Sequence, residues 1–214
     1  MKKKFKAVIF DCDGVLVDSE KLSCGIFAEM MREMGASVSD QEVLKNIKGS
    51  SIEISLNFAS QHLPSLNIET FEKAYRERTY TAFKKHMQPV KGIPELLHDL
   101  KLPRSVVSNG PISKIILNLQ VTNIIRFFER QYIFSGHDLK RFKPDPYMLI
   151  LAARRMKVNP QDCLVVEDSK HGALAASKAG MICYGYTGMT DESELISANA
   201  IPFDNMEEIR TILV

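Results

Sequence analysis

The chain has 214 residues, of which 45% are hydrophobic, and its formal net charge at neutral pH is +2. A chain of this size can bury a substantial core, in one domain or in two small ones. The low net charge and scattered basic residues argue against a nucleic-acid or membrane partner, and no apolar run is long enough to span a bilayer. We therefore expect a globular protein with no obligate protein partner.

The cysteines give no sign of a metal site or a disulfide framework. They are Cys12, Cys24, Cys163 and Cys183. No two are spaced as CxxC, and their dispersal in a chain of this length argues against disulfides, which favours a reducing cytoplasm. Cys12 lies between two acids that disfavour its thiolate, so we interpret it as a packing residue and not as a nucleophile.

Short runs rich in Val, Ile and Phe are typical of strands that are buried on both faces of a parallel sheet. The predicted strands are 5–10, 104–107, 132–134, 163–166 and 182–186. Helical patterns alternate with the later strands. One begins near Pro94, another at Asp145 with Pro146, and a third runs from Ser169 to Gly180. The alternation predicts an α/β core.

Between the first two predicted strands the patterns are only helical. Phe27, Met31 and Met34 recur at the spacing of one apolar helix face, and Ser39 begins a capping box for the next helix. Further helical patterns follow at 52–63 and 69–86. A helical module is therefore inserted after the first strand.

These patterns predict two domains. Residues 1–17 and 89–214 form a Rossmann-like catalytic core with a parallel sheet, and residues 18–88 form the inserted helical cap domain. Pro89 marks the return of the chain to the core.

The first predicted strand leads directly into the stretch DCDGVLVDSE. Asp11 and Asp13 are spaced i, i+2, so an extended backbone places both side chains on the same side. Ligands of open parallel sheets bind at this end of the strands, and two close carboxylates repel each other unless a cation or a proton intervenes. An EF-hand loop is excluded, because Leu16 and Leu22 stand where it needs Gly and Glu. Asp18 fits a helix-capping role as well as a functional one.

Three other segments at strand ends carry complementary side chains. They are Ser108, Asn109 and Gly110 in VVSNGP, Lys143 in RFKPDP, and Glu167 and Asp168 in VVEDS. VVSNGP also begins a helix whose free N–H groups attract phosphate. Each segment alone has a structural interpretation, as a helix cap or a surface lysine. Their convergence favours a phosphate site.

A phosphoacceptor signalling domain stays open as a non-catalytic alternative, because it too forms an aspartyl-phosphate. Such a domain is shorter, carries its acid pair and its acceptor on different strands, and has no helical insert. Turnover distinguishes the two, since a switch holds its phosphate whereas an enzyme releases it.

The motifs DCDGVLVDSE, VVSNG, KPDP and VVEDS, in this order, resemble those of the haloacid dehalogenase superfamily, in the subgroup with a helical cap after the first motif. The resemblance covers essentially the whole chain. Within the superfamily, FSGHDLKRFKPDP and VVSNGP are most similar to the bacterial 6-phosphogluconate phosphatase branch. The resemblance implies a Mg²⁺-dependent phosphatase that acts on a small phosphorylated metabolite through an aspartyl-phosphate.

The resemblance also implies roles for the four acids. Asp11 is the nucleophile, and Asp13 protonates the leaving oxygen and later deprotonates the attacking water, starting protonated in its anionic surroundings. Asp11, Asp168 and the backbone carbonyl of Asp13 hold Mg²⁺. Glu167 contributes to the metal site, either as a direct ligand or by contacts with the ligands.

The remaining site residues are expected to bind the phosphorylated substrate. Ser108, Asn109 and Gly110 hold phosphate oxygens, and Lys143 offsets the negative charge of nucleophile and phosphoryl group. Lys48, in the cap segment NIKGSS, is expected to face the substrate when the cap closes, with a surface lysine as the alternative.

A phosphomutase of the β-phosphoglucomutase type is the second functional alternative. Such mutases carry a histidine five positions after the residue that matches Asp18, where this chain has Ser23. They also carry an arginine in the cap loop, where this chain has Ile52. Isoleucine cannot hold a second phosphate by a bidentate contact, so the sequence favours a phosphatase.

Overall fold

The computed structural model describes residues 4–48, 50, 52–188 and 190–214. The chain forms two compact units, which we call the sheet unit, Met1–Val17 with Gln88–Val214, and the helical unit, Asp18–Met87. Within the sheet unit, Val17 forms an isolated bridge with Pro89, where the chain returns to this unit.

The sheet consists of parallel strands. They are β1 (Ala7–Phe10), β2 (Arg104–Ser108), β3 (Ile133–Ser135), β4 (Cys163–Glu167), β5 (Ile182–Tyr186) and β6 (Ala200–Phe203). In the described part of the chain these six strands are ordered β3-β2-β1-β4-β5-β6. The predicted α/β fold class is confirmed. The strand order changes direction between β1 and β4, so a crevice is expected at their carboxyl ends.

The helices alternate with the strands in the sheet unit and follow one another in the helical unit. They are α1 (Ser19–Glu33), α2 (Asp40–Ile47), α3 (Ile52–His62), α4 (Ile68–His86), α5 (Ile93–Asp99), α6 (Ile112–Val121), α7 (Gly136–Leu139), α8 (Tyr147–Arg155), α9 (Lys170–Lys178), α10 (Glu192–Ser197) and α11 (Met206–Leu213). Short 3₁₀ segments lie at Ile125–Phe127, Arg130–Tyr132 and Pro160–Asp162.

Two of the predicted helix starts in the sheet unit have a side-chain hydrogen bond to the first turn of the helix. The Ser169 hydroxyl accepts a hydrogen bond from the Gly172 N–H at 3.1 Å, as expected at the start of α9, and Gly180 follows this helix with a φ of 69°. The Asp145 carboxylate accepts from the Tyr147 N–H at 2.9 Å, but the N-cap of α8 is Pro146, so this helix begins one residue later than predicted. A side-chain hydrogen bond thus lies at both helix starts.

The central strand β1 is buried on both faces. Ala7 and Ile9 pack in a cluster that includes Met148 and Ala152 of α8. Phe10, which points to the opposite face, makes an edge-on ring contact with Phe128 at 6.3 Å between centroids. Burial on both faces is the environment that the apolar strand sequence predicts.

The helical unit has its own apolar core. The Phe27 ring meets the rings of Phe71 and Tyr75 edge-on, at 5.2 and 5.1 Å between centroids. Met31 is fully buried beside them, but Met34 is 51% exposed, so its predicted core position is wrong. The reason is that α1 ends at Glu33 and leaves Met34 at the C-cap.

The helix ends in the helical unit differ in how they are capped. Ser39 accepts a hydrogen bond from the Glu42 N–H at 3.1 Å and so caps α2 as predicted. Asp18 occupies the N-cap position of α1 but makes no side-chain capping hydrogen bond. The capping role considered for Asp18 is therefore not realised. None of the described helices is both long and apolar enough to span a bilayer.

All four cysteines are free thiols and are buried. Burial raises the pKa of Cys24 to about 12 and that of Cys163 to about 11. Burial also raises the pKa of Cys12, and the charges of Asp13 and Asp11 add to this effect. A thiol with a raised pKa is a poor nucleophile, as expected for packing residues.

Candidate active site

The site begins where β1 ends. The backbone N–H of Asp11 donates to the Val166 carbonyl of β4 at 2.9 Å, which fixes this residue at the carboxyl edge of the sheet. The chain then turns at Gly14, whose φ of 81° favours glycine. The Gly14 N–H closes the turn by donating to the Val17 carbonyl at 2.8 Å. Asp11 is thereby held at the centre of the sheet edge with a buried side chain.

A buried lysine joins two of the predicted acids. The Lys143 ammonium group donates to Asp11 Oδ1 and to Glu167 Oε1, and all three side chains are buried. Burial alone would lower the pKa of Lys143, but the charges of Asp11 and Glu167 outweigh burial and raise it. Asn109 Oδ1 accepts from the Lys143 backbone N–H at 2.8 Å and ties this loop to the end of β2. The predicted Asn109 and Lys143 are thus adjacent.

Asp11 lies in surroundings that are short of positive charge. Burial raises its pKa above the ordinary carboxyl value, Lys143 opposes this shift, and the charges of Glu167 and Asp13 add to it. One ammonium group serves two buried carboxylates here, so negative charge is left over. Such a site favours a cation beside Asp11.

Glu167 is engaged on both carboxylate oxygens. Besides its contact with Lys143, its Oε2 accepts from the backbone N–H groups of Asp168 and Ser169 at 2.9 and 2.8 Å. The Ser169 hydroxyl donates to the same oxygen at 2.8 Å. A Cβ atom on Gly172 would lie 1.9 Å from Glu167 Oε1, so glycine is required for this approach. These contacts favour a supporting role for Glu167 over direct metal binding.

Asp168 lies against the loop that carries the other acids. A Cβ atom on Gly14 would come within 2.1 Å of Asp168 Oδ2, so this carboxylate packs on the backbone directly after Asp13. Asp168 is itself buried. The structure therefore brings together the residues predicted after β1 and β4.

The predicted Mg²⁺ ligands are all oxygen atoms. Among the described residues, no three His, Cys, Asp or Glu side chains are grouped to hold a metal ion. The predicted set needs only two side chains, from Asp11 and Asp168, and adds the backbone carbonyl of Asp13. An all-oxygen set of this size fits Mg²⁺, which usually keeps several of its waters.

Asp13 has two partners that sequence reasoning missed. Lys114 Nζ donates to Asp13 Oδ2 at 3.0 Å, and Asn118 Nδ2 donates to Asp13 Oδ1 at 3.1 Å. Both lie on α6, and their i, i+4 spacing places them on one helix face. The i, i+4 spacing of Lys114 and Asn118 is visible in the helix that follows VVSNGP, but only the acidic neighbours of Asp13 entered the prediction.

The end of β2 presents the predicted phosphate-binding residues. The buried Ser108 hydroxyl accepts from the Gly110 N–H at 3.2 Å. A Cβ atom on Gly110 would lie 4.0 Å from Asp13 Oδ2, so this turn adjoins the acid pair. Ser135 at the end of β3 donates to the Gly110 carbonyl at 2.7 Å, a support that sequence reasoning missed. A Cβ atom on the next residue, Gly136, would lie 3.2 Å from Asn109 Cα.

Lys48, the site residue predicted in the insert, lies at the C-terminal end of α2 in the helical unit. Its backbone N–H donates to the Leu44 carbonyl at 3.1 Å, and its side chain is near enough to Cys24 to lower the pKa of that thiol slightly against the larger effect of burial. Its expected contact with a substrate stays a prediction.

The parallel sheet and the charged groups buried at its carboxyl edge define an α/β enzyme. Residues 8–185 match the family model of haloacid dehalogenase-like hydrolases. The chain therefore belongs to the haloacid dehalogenase-like hydrolase family.

Several named relatives of the chain are phosphatases. The 6-phosphogluconate phosphatase of Escherichia coli (strain K12) is 31% identical over 207 residues, which span 96% of this chain and 93% of that protein. A phosphorylated carbohydrates phosphatase of Thermotoga maritima is 28% identical, over 97% of this chain and 98% of that protein. The predicted assignment as a phosphoric monoester hydrolase is confirmed by the family and by these relatives.

A solved structure shows the same fold. It is a Thermotoga maritima protein proposed to be a beta-phosphoglucomutase, and it is 27% identical with a TM-score of 0.84. The alignment covers 97% of this chain and 98% of that one. The fold similarity therefore extends over nearly the whole chain.

Proposed function

We propose that this protein is a Mg²⁺-dependent phosphatase that hydrolyses small phosphorylated carbohydrates through an aspartyl-phosphate on Asp11. The observation that carries the proposal is the position of Asp11 at the end of the central strand, buried, paired with Lys143 and followed two residues later by Asp13. A carboxylate is a weak nucleophile, and its phosphate adduct is labile, which divides hydrolysis into two easier steps.

In the first step an Asp11 oxygen attacks phosphorus and the bond from phosphorus to the substrate oxygen breaks. Asp13 gives its proton to that leaving oxygen, which departs as an alcohol. In the second step Asp13 takes a proton from water as the water oxygen attacks the phosphorus atom of the adduct. Inorganic phosphate leaves, Asp11 is regenerated as a carboxylate, and Asp13 is again protonated.

Three groups are proposed to hold Mg²⁺, namely the carboxylates of Asp11 and Asp168 and the backbone carbonyl of Asp13. When bound, the ion supplies positive charge that neutralises the nucleophile and the phosphoryl oxygens. Glu167 is proposed to support the site without binding the ion itself, because its oxygens already bind Lys143 and the N-terminal end of α9. It holds Lys143 beside Asp11.

The transferring phosphoryl group is proposed to bind between the end of β2 and Lys143. The Ser108 hydroxyl and the backbone N–H groups at Asn109 and Gly110 are the donors for its oxygens. The Lys143 ammonium group, held between Asp11 and Glu167, offsets negative charge as the nucleophile approaches phosphorus.

The proposed substrate class rests on the relatives. The two phosphatases named above act, by their names, on 6-phosphogluconate and on phosphorylated carbohydrates. Ser23 and Ile52, which replace the mutase histidine and arginine, favour water over a sugar as the phosphoryl acceptor. Lys48 is proposed to contact the carbohydrate part of the substrate.

A substrate panel tests this proposal. Purified protein with Mg²⁺ is incubated with sugar phosphates, phosphorylated sugar acids and nucleotides, and free phosphate is measured against a chelator control. We expect sustained, Mg²⁺-dependent release from one or more phosphorylated carbohydrates. Release of no more than one phosphate per chain would instead indicate a phosphoacceptor.

The mutase alternative needs its own assay. β-Glucose 1-phosphate is supplied with a trace of the 1,6-bisphosphate, and glucose 6-phosphate is measured alongside free phosphate. Efficient conversion without phosphate release would contradict the proposed hydrolysis.

A further inference from the structure

Helix α6 holds the Asp13 carboxylate by both of its oxygens. Lys114 donates to Oδ2 at 3.0 Å, and Asn118 donates to Oδ1 at 3.1 Å. A single hydrogen bond would leave the carboxylate free to rotate about its bond to Cβ. Two donors on different oxygens fix the plane of the group and the direction in which its remaining lone pairs point.

Asn118 is poorly explained by packing alone. It is fully buried, and its Oδ1 has no hydrogen-bond partner among the residues that the structure describes. Its neighbours Ile115 and Leu119 on α6 are fully buried and apolar. A buried carbonyl oxygen without a partner is unfavourable, so an apolar residue would serve stability better at this position. The hydrogen bond from its amide nitrogen to Asp13 explains why an amide occupies this position.

Lys114 differs from Asn118 in its surroundings. Its side chain is 39% exposed and that of Asp13 is 18% exposed, so their contact lies at an open edge of the site. A partly exposed ion pair adds little to stability. The two residues therefore differ in their surroundings, and what they have in common is a hydrogen bond to Asp13.

We propose that Lys114 and Asn118 are positioning residues, which orient the Asp13 carboxylate toward the oxygen that leaves and the water that attacks. This inference rests on the proposed function, in which Asp13 exchanges a proton with both. We do not propose that either residue contacts the substrate directly. We assign their effect on the reaction to Asp13, the partner that both side-chain nitrogens share.

This role has a consequence that depends on the leaving group. An alkoxide released from a sugar phosphate needs a proton in the transition state, whereas nitrophenolate is stable without one. A misdirected Asp13 should therefore slow the attack on sugar phosphates far more than the attack on p-nitrophenyl phosphate. A residue that only binds phosphate or supports the fold would slow both reactions alike.

The test compares kcat/KM for these two substrate types, because this quantity reports the steps through the first phosphoryl transfer. The variants are Lys114→Met, Lys114→Arg and Asn118→Leu, with the exposed Lys178→Met as a matched control. For Lys114→Met and Asn118→Leu we expect a loss of about 10-fold or more on the sugar phosphate and less than about 3-fold on p-nitrophenyl phosphate.

Two further readouts separate positioning from a structural role. Lys114→Arg keeps a donor toward Asp13 and should recover most of the lost rate. Asn118→Leu should unfold at the wild-type temperature or above it while it loses activity. Equal losses on both substrates, or a loss of activity that follows a lower unfolding temperature, would overturn the inference.

The variant Asp13→Asn separates this inference from the proposed function. If Asp13→Asn shows the substrate-dependent loss and the α6 variants do not, the positioning role fails and the proposed function stands. If Asp13→Asn is as active as the wild type on sugar phosphates, the proton exchange by Asp13 fails and the positioning role fails with it. If the wild type itself releases no phosphate from sugar phosphates, the proposed function fails.

Discussion

The sheet unit and the helical unit bury different kinds of side chain. The sheet unit buries Asp11, Lys143, Glu167 and Asp168 at one edge, whereas the buried described residues of the helical unit are apolar apart from two serines. Burying charge is costly unless each group is paired and hydrogen-bonded. The difference indicates that the sheet unit carries the chemistry and that the interior of the helical unit serves packing.

The largest loss of activity is expected when the nucleophile of the sheet unit is removed. We expect Asp11→Asn to lower kcat by at least ~10³-fold, which corresponds to about 4 kcal/mol of transition-state stabilisation, because an amide cannot attack phosphorus. The measurement is steady-state phosphate release, with circular dichroism to check the fold. Glu192→Gln, which changes an exposed acid of the same unit, is the control. Near-wild-type turnover by Asp11→Asn would exclude this nucleophile.

Metal removal should have the next largest effect. A chelator is expected to abolish turnover and added Mg²⁺ to restore it, because charge at Asp11 and the phosphoryl group needs neutralisation. Asp168→Asn should raise the Mg²⁺ concentration needed for half-maximal activity by at least about 100-fold, because the loss of a direct ligand should cost no less than the loss of a residue that supports one. Unchanged activity in chelator would rule out the metal role.

A change in the core of the helical unit should act on stability alone. Phe27→Leu loses the ring contacts with Phe71 and Tyr75, so we expect it to lower the free energy of unfolding by about 1–2 kcal/mol. Denaturant unfolding measures this loss. At temperatures where the variant is folded, kcat/KM for p-nitrophenyl phosphate should stay within about 3-fold of wild type. A 100-fold loss with an intact fold would place chemistry in the helical unit.

The smallest effect is expected for the thiols. Because burial raises the pKa of Cys24 and Cys163, little thiolate forms near neutral pH, and iodoacetamide should label the folded chain slowly. Mass spectrometry after labelling with and without denaturant measures this. Fast labelling of Cys12 in the folded protein, with loss of activity, would mean that this residue is accessible and important.

The first five strands were predictable because long-range pairing in a parallel sheet needs continuous apolar runs, and such runs are visible in the sequence. β6 was missed because Pro202 interrupts its apolar run, and an edge strand tolerates proline. Met34 was assigned to the core because its spacing continues the helix face, but the spacing does not show that α1 ends at Glu33.

Residues that end a strand or directly follow one could be predicted to lie together, since parallel strands end at one edge. This applies to Asp11, Ser108 and Asp168, whose roles stay a prediction. Lys114 and Asn118 were missed because they reach Asp13 from the side of a helix, and only the packing of α6 shows which face that is. Gly172 was missed for a similar reason, since its need for glycine depends on where Glu167 lies.

The proposed mechanism requires a covalent phosphate on Asp11. We propose to mix the enzyme with its best substrate and Mg²⁺, quench in acid within milliseconds, and locate phosphate on the chain by mass spectrometry of peptides. We expect transient phosphate on the peptide that contains Asp11, and none in Asp11→Asn. Rapid substrate hydrolysis with no phosphate on the chain at any time, or with phosphate on another residue, would contradict this mechanism.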